Sequence, residues 1–472
     1  MLGSLPCPSY DICSNDNGDC IIVGGGGSVK SGVINQVIIS DIYSQINAKE
    51  NDNLIDKLTI PTDEKLFNSV FFSKTIDGLD LLFFGCDEKC VVLEITNDDN
   101  YKIHTSFVAD YTKLEGHNFP SVNCFTMVYH NNKSYLITGG EDGVIRCWTV
   151  DVNNSDNDHN VSVTKCVELS KHSKAIMSLD CYPKPSSSST SSYRPWVVSA
   201  SKDGSIKICD VSNAYDKKKT RELLTFNCSS GTSTPSPSNE CRGVAWAPHA
   251  DYIYVIQCNR GAGTYVTSFK ALIGDDVIDL KPLNVFGVSK VPSTRMCLSS
   301  CGRYLAVGSS DGAIHVLYVH NQENGILIRV TTRIPHSFPV TGLTFVKHNV
   351  DSNTSPETAG ENNIINNYYN DNNGNTNRKK NKKKNKKKNK RSLNNNDSSF
   401  SSTNIAHTSI TGNTAGKGVD VGEILMSVSA DKTYYRLPMN DIRLQTILAT
   451  HWSSFLLIIL MIILFLYVYL NK

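Results

Sequence analysis

At 472 residues with 40% hydrophobic content, the chain has enough apolar material for a sizeable core, as two or three ordinary domains or one closed repeat array. Its net charge of +2 is unevenly spread: 11 of the 47 Lys/Arg residues fall between positions 378 and 391, which leaves the remainder mildly acidic and without a basic face for nucleic acid. Fifteen cysteines at irregular spacing, with no CxxC pair and no paired histidine cluster, argue against zinc and for buried thiols in a reducing compartment.

No basic start followed by an apolar run opens the chain, so no secretory signal is read there. From residue 20 onward one unit recurs. It consists of an apolar strand ending in small residues, a tight turn, and a further alternating strand. The first copy is CIIVGGGGSVKSGVINQVIIS (20–40), and the second is LLFFGCDEKCVVLEI (81–95). The clearest copies are YLITGGEDGVIRCWTV (135–150), WVVSASKDGSIKICDV (196–211) and YLAVGSSDGAIHVLYV (304–319), each turning on an Asp-Gly pair whose glycine supplies a positive φ. YIYVIQCNRGAGTYVTSF (252–269) and ILMSVSADKTYYRLPM (424–439) complete the set. Several copies follow another short strand, such as SVNCFTMVY (121–129). The count predicts about seven four-stranded blades, an all-β, seven-bladed WD-repeat-like β-propeller, although the WD dipeptide itself is missing.

The predicted organisation is blades one to six and the start of the seventh over 1–348. An Asn/Lys-rich insertion without apolar periodicity follows over 349–421 and is expected to be disordered. The rest of the last blade is at 422–440, a juxtamembrane linker at 441–454, and a transmembrane helix at 455–470. That last segment, FLLIILMIILFLYVYL, holds thirteen Leu, Ile, Phe or Val residues, giving about −4 to −8 kcal/mol for insertion. With only two residues after it, insertion is expected after synthesis, leaving the propeller in the cytosol.

One turn is anomalous. Gly24, Gly25, Gly26 and Gly27 open GGGGSVKSGVIN (24–35), where most other units have a short connection. Four glycines carry a high ordering cost and expose bare backbone, which suits a phosphate cradle through amides or a cation site through carbonyls. The glycines do not stand in GxxxxGK[ST] or GxGxxG spacing, and the next segment alternates like a strand, so the nucleotide reading is weak. A bland flexible turn remains open on the residues alone.

The run GGGGxxKxGxxN in a first blade, with a C-terminal anchor, resembles the exchange factors for the Sar-type small GTPase. These act at the endoplasmic reticulum to initiate the coat protein complex II (COPII). The likeness continues through PSTRMCLSSCGRYLAVGSSDGAIHVLYV (292–319), HSFPVTGLTFV (336–346) and GEILMSVSADKTYYRLPM (422–439). The resemblance implies a single-pass endoplasmic reticulum membrane protein whose cytosolic propeller speeds GDP release without covalent chemistry, and so serves ER-to-Golgi vesicle transport. It further implies a potassium ion held by Gly24, Gly25, Gly26, Gly27, Gly32 and Asn35, with Val33, Ile34 and Asn35 contacting the GTPase. The alternative is a membrane-tethered scaffold without exchange activity. The lysine run, lacking aromatics, implies no specific nucleic-acid partner, and weak attraction to anionic head groups is its further reading. The 12 histidines are scattered, with no HExxH or GxSxG, and no hydrolytic constellation is read.

Overall fold

The computed structural model describes residues 1–27, 32–42, 54, 56–62, 65–75, 77–96, 100–113, 119–155, 158–183, 193–214, 221–228, 239–249, 251–259, 261, 263–274, 277–347, 423–439 and 442. The chain divides into two units, one of Met1–Asn349 with Asp420–Lys472 and one of Val350–Val419, and every described residue belongs to the first. The predicted insertion at 349–421 and the predicted membrane helix at 455–470 lie outside the described residues. No helix among the described residues is long and apolar enough to cross a membrane.

Seven four-stranded antiparallel sheets follow one another along the chain. After β1 (Leu2–Ser4), blade 1 is β2 (Ser9–Ser14), β3 (Asp19–Gly24), β4 (Gln36–Asp41) and β5 (Asp56–Pro61). Blade 2 is β6 (Ser69–Lys74), β7 (Asp80–Cys86), β8 (Lys89–Ile95) and β9 (Tyr101–Val108). Blade 3 is β10 (Val122–His130), β11 (Lys133–Gly140), β12 (Val144–Ser155) and β13 (Asp158–Lys171). Blade 4 is β14 (Ile176–Cys181), β15 (Trp196–Ser201), β16 (Ser205–Asp210) and β17 (Arg221–Asn227). Blade 5 is β18 (Asn239–Trp246), β19 (Tyr252–Asn259), β20 (Gly263–Ile273) and β21 (Ile278–Ser289). Blade 6 is β22 (Ser293–Leu298), β23 (Tyr304–Ser309), β24 (Ile314–Asn321) and β25 (Ile326–Arg333). Blade 7 is β26 (Val340–Val346), β27 (Ile424–Ser429) and β28 (Thr433–Pro438), completed by β1.

The strands are apolar on both sides because each blade is packed on both sides. In β3, Ile21 and Val23 enter an apolar cluster shared with Leu82 and Phe84 of blade 2. Cys20 and Ile22 enter another, shared with Met426 and Val428 of blade 7. Period-two alternation therefore serves two neighbours at once. Seven such clusters fill the seven blade junctions. Full burial of one Ile or Leu contributes roughly 1.5–3 kcal/mol. The Asp-Gly turns are as expected, with Gly143, Gly204 and Gly312 at φ +73°, +82° and +80°.

Polar side chains link the first strands of neighbouring blades into a closed ring. Val70 N donates to Asp11 Oδ2 (3.1 Å), Ser69 Oγ to Val122 O (2.6 Å), and Asn123 Nδ2 to Ile176 O (3.1 Å). Trp246 N donates to Asp180 Oδ2 (2.7 Å), Arg242 Nη1 to Ser293 O (3.2 Å), and Arg295 Nε to Thr341 O (2.7 Å). Thr341 Oγ1 to Ser9 O (2.7 Å) closes the circle. Burial pushes the Asp180 carboxyl up to about 6.

Closure also uses β1. Its residues pair with β28, Leu2 opposite Tyr435 and Ser4 opposite Thr433, so the last blade takes its outer strand from the start of the chain. The repeat pattern starts at residue 20, and nothing in it marks Leu2–Ser4 as a strand.

Since Thr341 meets Ser9 and Ser14 Oγ meets Phe345 O (3.0 Å), the first strands run in the same sense. One face, called upper here, therefore carries the connections between blades and the second-to-third-strand turns. The Gly24–Gln36 end of blade 1 lies on the upper face. The ends Val346 and Ile424, which flank the insertion, and the end of β28 at Pro438 lie on the lower face.

Candidate functional site

The turn between β3 and β4 is the long one, and its base is built by close packing. Gly24 ends β3 opposite Gln36, and a Cβ there would lie 2.2 Å from Pro8 O. Gly25 N donates to the same Pro8 carbonyl (2.9 Å). At φ +152°, a Cβ on Gly25 would fall 2.1 Å from Asn35 Oδ1, so only glycine fits. Gly27 and Gly32 have φ of +78° and +73°, while Gly26 is half-buried. Residues 28–31 lie outside the described residues.

Asn35 is 2% exposed, and its amide faces into the turn. Gly27 N donates to Asn35 Oδ1 (2.9 Å), and Asn35 Nδ2 donates to Gly27 O (3.2 Å). Its own carbonyl accepts from Thr62 N (2.9 Å), tying the turn to the chain leaving β5. Asn35 is therefore a positioning residue. The adjacent Ile34 is 64% exposed, and Val33 is half-buried. The structure thus brings Gly24, Gly25, Gly27, Val33, Ile34 and Asn35 together, with Asn35 pointing inward and Ile34 outward.

Among the described residues of the turn, the oxygen donors that could face a cation are neutral: backbone carbonyls and the Asn35 amide. No carboxylate occurs between residues 24 and 35. Such a donor set suits a monovalent ion better than a divalent one, which needs charge compensation. The described residues contain no cluster of His, Cys, Asp and Glu fit for a metal.

Two other blades close the same region differently. In blade 4, His172 Nε2 meets Ser199 Oγ (2.8 Å), and its Nδ1 meets Ser205 Oγ (3.0 Å) and Asp203 Oδ2 (3.2 Å). Asp203 also accepts from Ser173 N and Ser205 N, each at 2.9 Å. Burial would raise the Asp203 carboxyl, but hydrogen bonds from His172 and Ser205 outweigh it and hold it far below the usual carboxylate range. In blade 7, His336 meets Ser427 Oγ (2.8 Å) and Thr433 Oγ1 (2.6 Å), and Asp431 accepts from Ser337 N (2.6 Å). Burial pushes the His336 imidazole down to about 4. Sequence reasoning treated these histidines as scattered. The signal was legible as a repeat: His-Ser before each first strand, then SASKDGS (199–205) and SVSADKT (427–433) in register.

All fifteen cysteines are free and buried or half-buried. The central channel opens on the upper face in a cavity of about 320 Å³, lined by Tyr10, Asn68, Asn123, Met177, Arg295 and Thr341. Arg295 spans it to approach Asp11 at 3.6 Å.

The WD40 family model (WD domain, G-beta repeat) matches residues 110–149 and 163–210, within blades 3 and 4. No curated protein matches the chain. Among solved structures, a candidate 6-phosphogluconolactonase from Bacteroides fragilis is similar at 13% identity, covering 71% of this chain and 85% of that one, with a TM-score of 0.50. Sqt1 from Chaetomium thermophilum, bound to the N-terminus of ribosomal protein L10, is similar at 15% identity, covering 72% and 79%, with a TM-score of 0.47. At these identities the likeness concerns the fold alone. With seven four-stranded sheets closed into a ring and the repeat signature in its third and fourth blades, the chain is an all-β, seven-bladed propeller with WD40 repeats, an architecture typical of protein-interaction scaffolds.

Proposed function

We propose that this propeller is a guanine nucleotide exchange factor for a Sar-type small GTPase, acting at the endoplasmic reticulum membrane to start COPII coat assembly. The observation that carries the reading is the blade 1 turn: an inward Asn35 holding Gly27 from both sides while Ile34 stands in solvent. A buried amide that fixes the backbone beside an exposed apolar side chain is an arrangement for contacting a protein.

Exchange needs no bond-making by the factor. GTPases hold nucleotide through Mg²⁺ and phosphate contacts. A partner that binds the nucleotide-free form more tightly than the loaded form weakens nucleotide affinity by the same ratio. Val33 and Ile34 act as the apolar wedge, and Asn35 fixes its shape. Potassium, bound by glycine carbonyls and Asn35 Oδ1, would supply positive charge that orders the turn. The apolar segment at 455–470 anchors the chain, and the lysine run attracts anionic head groups weakly.

The second reading is a membrane-tethered WD-repeat scaffold without exchange activity, favoured by the architecture itself. Release of a fluorescent guanine nucleotide from a Sar-type GTPase, with and without the full chain in detergent, decides between them. Acceleration supports exchange. An unchanged rate with intact binding supports the scaffold.

A further inference from the structure

The described apolar side chains of the blade 1 turn, Ile34 at 64% exposed and the half-buried Val33, fall well short of the roughly 800 Å² that a specific interface takes from each partner. The upper face shows where the rest lies. Ile334 and Phe338, in the connection from β25 to β26, are 70% and 56% exposed, and Phe119, in the connection from β9 to β10, is 65% exposed. The connections from blade 3 to blade 4 and from blade 5 to blade 6 present no strongly exposed large apolar side chain among the described residues. The other exposed large apolar side chains, apart from Tyr111, sit on outer strands or on the lower face, as Val277 does between β20 and β21.

Ring closure links the connection that carries Ile334 and Phe338, from blade 6 to blade 7, to the glycine turn of blade 1 through the start of the chain. Phe338 O accepts from Ser429 Oγ (3.2 Å), the strand end after Ser429 leads to Lys432, whose carbonyl accepts from Leu5 N (2.7 Å), and the Leu5–Pro8 stretch meets Gly25. The connection is also rigid. His336 is held by Ser427 and Thr433, Ser337 N donates to Asp431, and Pro339 O accepts from Ser429 Oγ (3.0 Å). Two apolar side chains on a pinned backbone lose little freedom on binding, which favours an anchor.

We propose that Ile334 and Phe338, on the upper rim at blade 7, form a second, pre-formed anchor for the same GTPase that meets the blade 1 turn. This rests on the exchange reading above. The partner spans the closure of the ring from blade 7 to blade 1, with the rigid anchor holding it while the turn acts on the nucleotide site.

The test measures binding of the nucleotide-free GTPase to the full chain in detergent, alongside nucleotide release. Ile334→Ser with Phe338→Ser is expected to weaken binding at least tenfold, with thermal midpoint unchanged. Ile334→Lys alone, at a side chain already in solvent, repeats the loss without risk to the fold. Val277→Ser on the lower face is expected to bind as the unaltered chain does. Rim variants that bind normally while Asn35→Ala slows release would overturn the rim anchor and leave the exchange reading intact. An unaltered chain that neither binds the GTPase nor speeds release would overturn both.

Discussion

The second-to-third-strand turns of blades 1 and 4 occupy equivalent places and are held in opposite ways. Blade 4 uses a short turn through Lys202, Asp203 and Gly204, fastened by His172, Ser173 and Ser205 around one carboxylate. Blade 1 uses twelve residues, and among the described ones the Asn35 amide holds Gly27. In blade 4 the His172, Ser173, Asp203 and Ser205 polar groups are spent on fixing the blade. In blade 1 the Asn35 amide fixes the base of the turn, and Ile34 beside it stands exposed. Stability and recognition are thus divided between copies of one unit, so damage to each should be read out differently.

The largest effect is expected at blade 4. Asp203→Ala leaves the imidazole and two backbone amides without their acceptor and should lower unfolding stability by about 2–4 kcal/mol. Denaturant titration checks this, and nucleotide release by the folded protein should be unaltered. A loss of release without loss of stability would break the division.

Acid sharpens the same contrast at blade 7. His336 has a folded-state pKa of about 4, below its ordinary 6.5, so the unfolded chain binds the proton more readily between these values. Stability from this site is complete above pH 6.5 and is lost as pH falls towards 4, by up to roughly 3 kcal/mol. Asp180, raised to about 6, acts in the opposite sense: its contribution is greatest below the ordinary carboxylate range and is lost as pH rises through 6. The comparison that isolates His336 is therefore the pH slope of unfolding with and without His336→Asn, the variant being flatter between pH 4 and 6.5.

Blade 1 should show the reverse pattern. Asn35→Ala removes the amide that shapes the turn and is expected to slow exchange at least tenfold, about 1.4 kcal/mol of barrier, while the propeller stays folded. Stopped-flow nucleotide release and circular dichroism measure the two. A variant that exchanges normally would return the turn to the bland class. Smaller still is the choice of salt: release should be several-fold faster in potassium than in sodium at equal ionic strength, which cancels general screening.

The repeats were legible because alternation and Asp-Gly turns are local. Ile21 and Ile22 declare a strand buried on both sides within a few residues, and Gly143, Gly204 and Gly312 mark their own hairpins. The glycine turn was legible for the same reason, as was the need for something to order it. The direction of Asn35 was not, since an asparagine beside a strand is equally able to face a partner or its own loop.

The sequence by itself determined the blade unit, its repetition, the anomalous first turn and the apolar segment at 455–470. Only the tertiary structure decided which ends meet. Leu2–Ser4 has no pattern of its own and becomes a strand because β28, more than 400 residues away, offers an unpaired edge. His172 and His336 become blade fasteners only when Ser and Thr hydroxyls from other strands surround them. The blade that carries Phe338 and the blade that carries Ile34 are adjacent only because the ring closes. Alternation is set by neighbours in the chain, whereas hydrogen-bond partners and faces are set by closure, and closure is a property of the assembled ring.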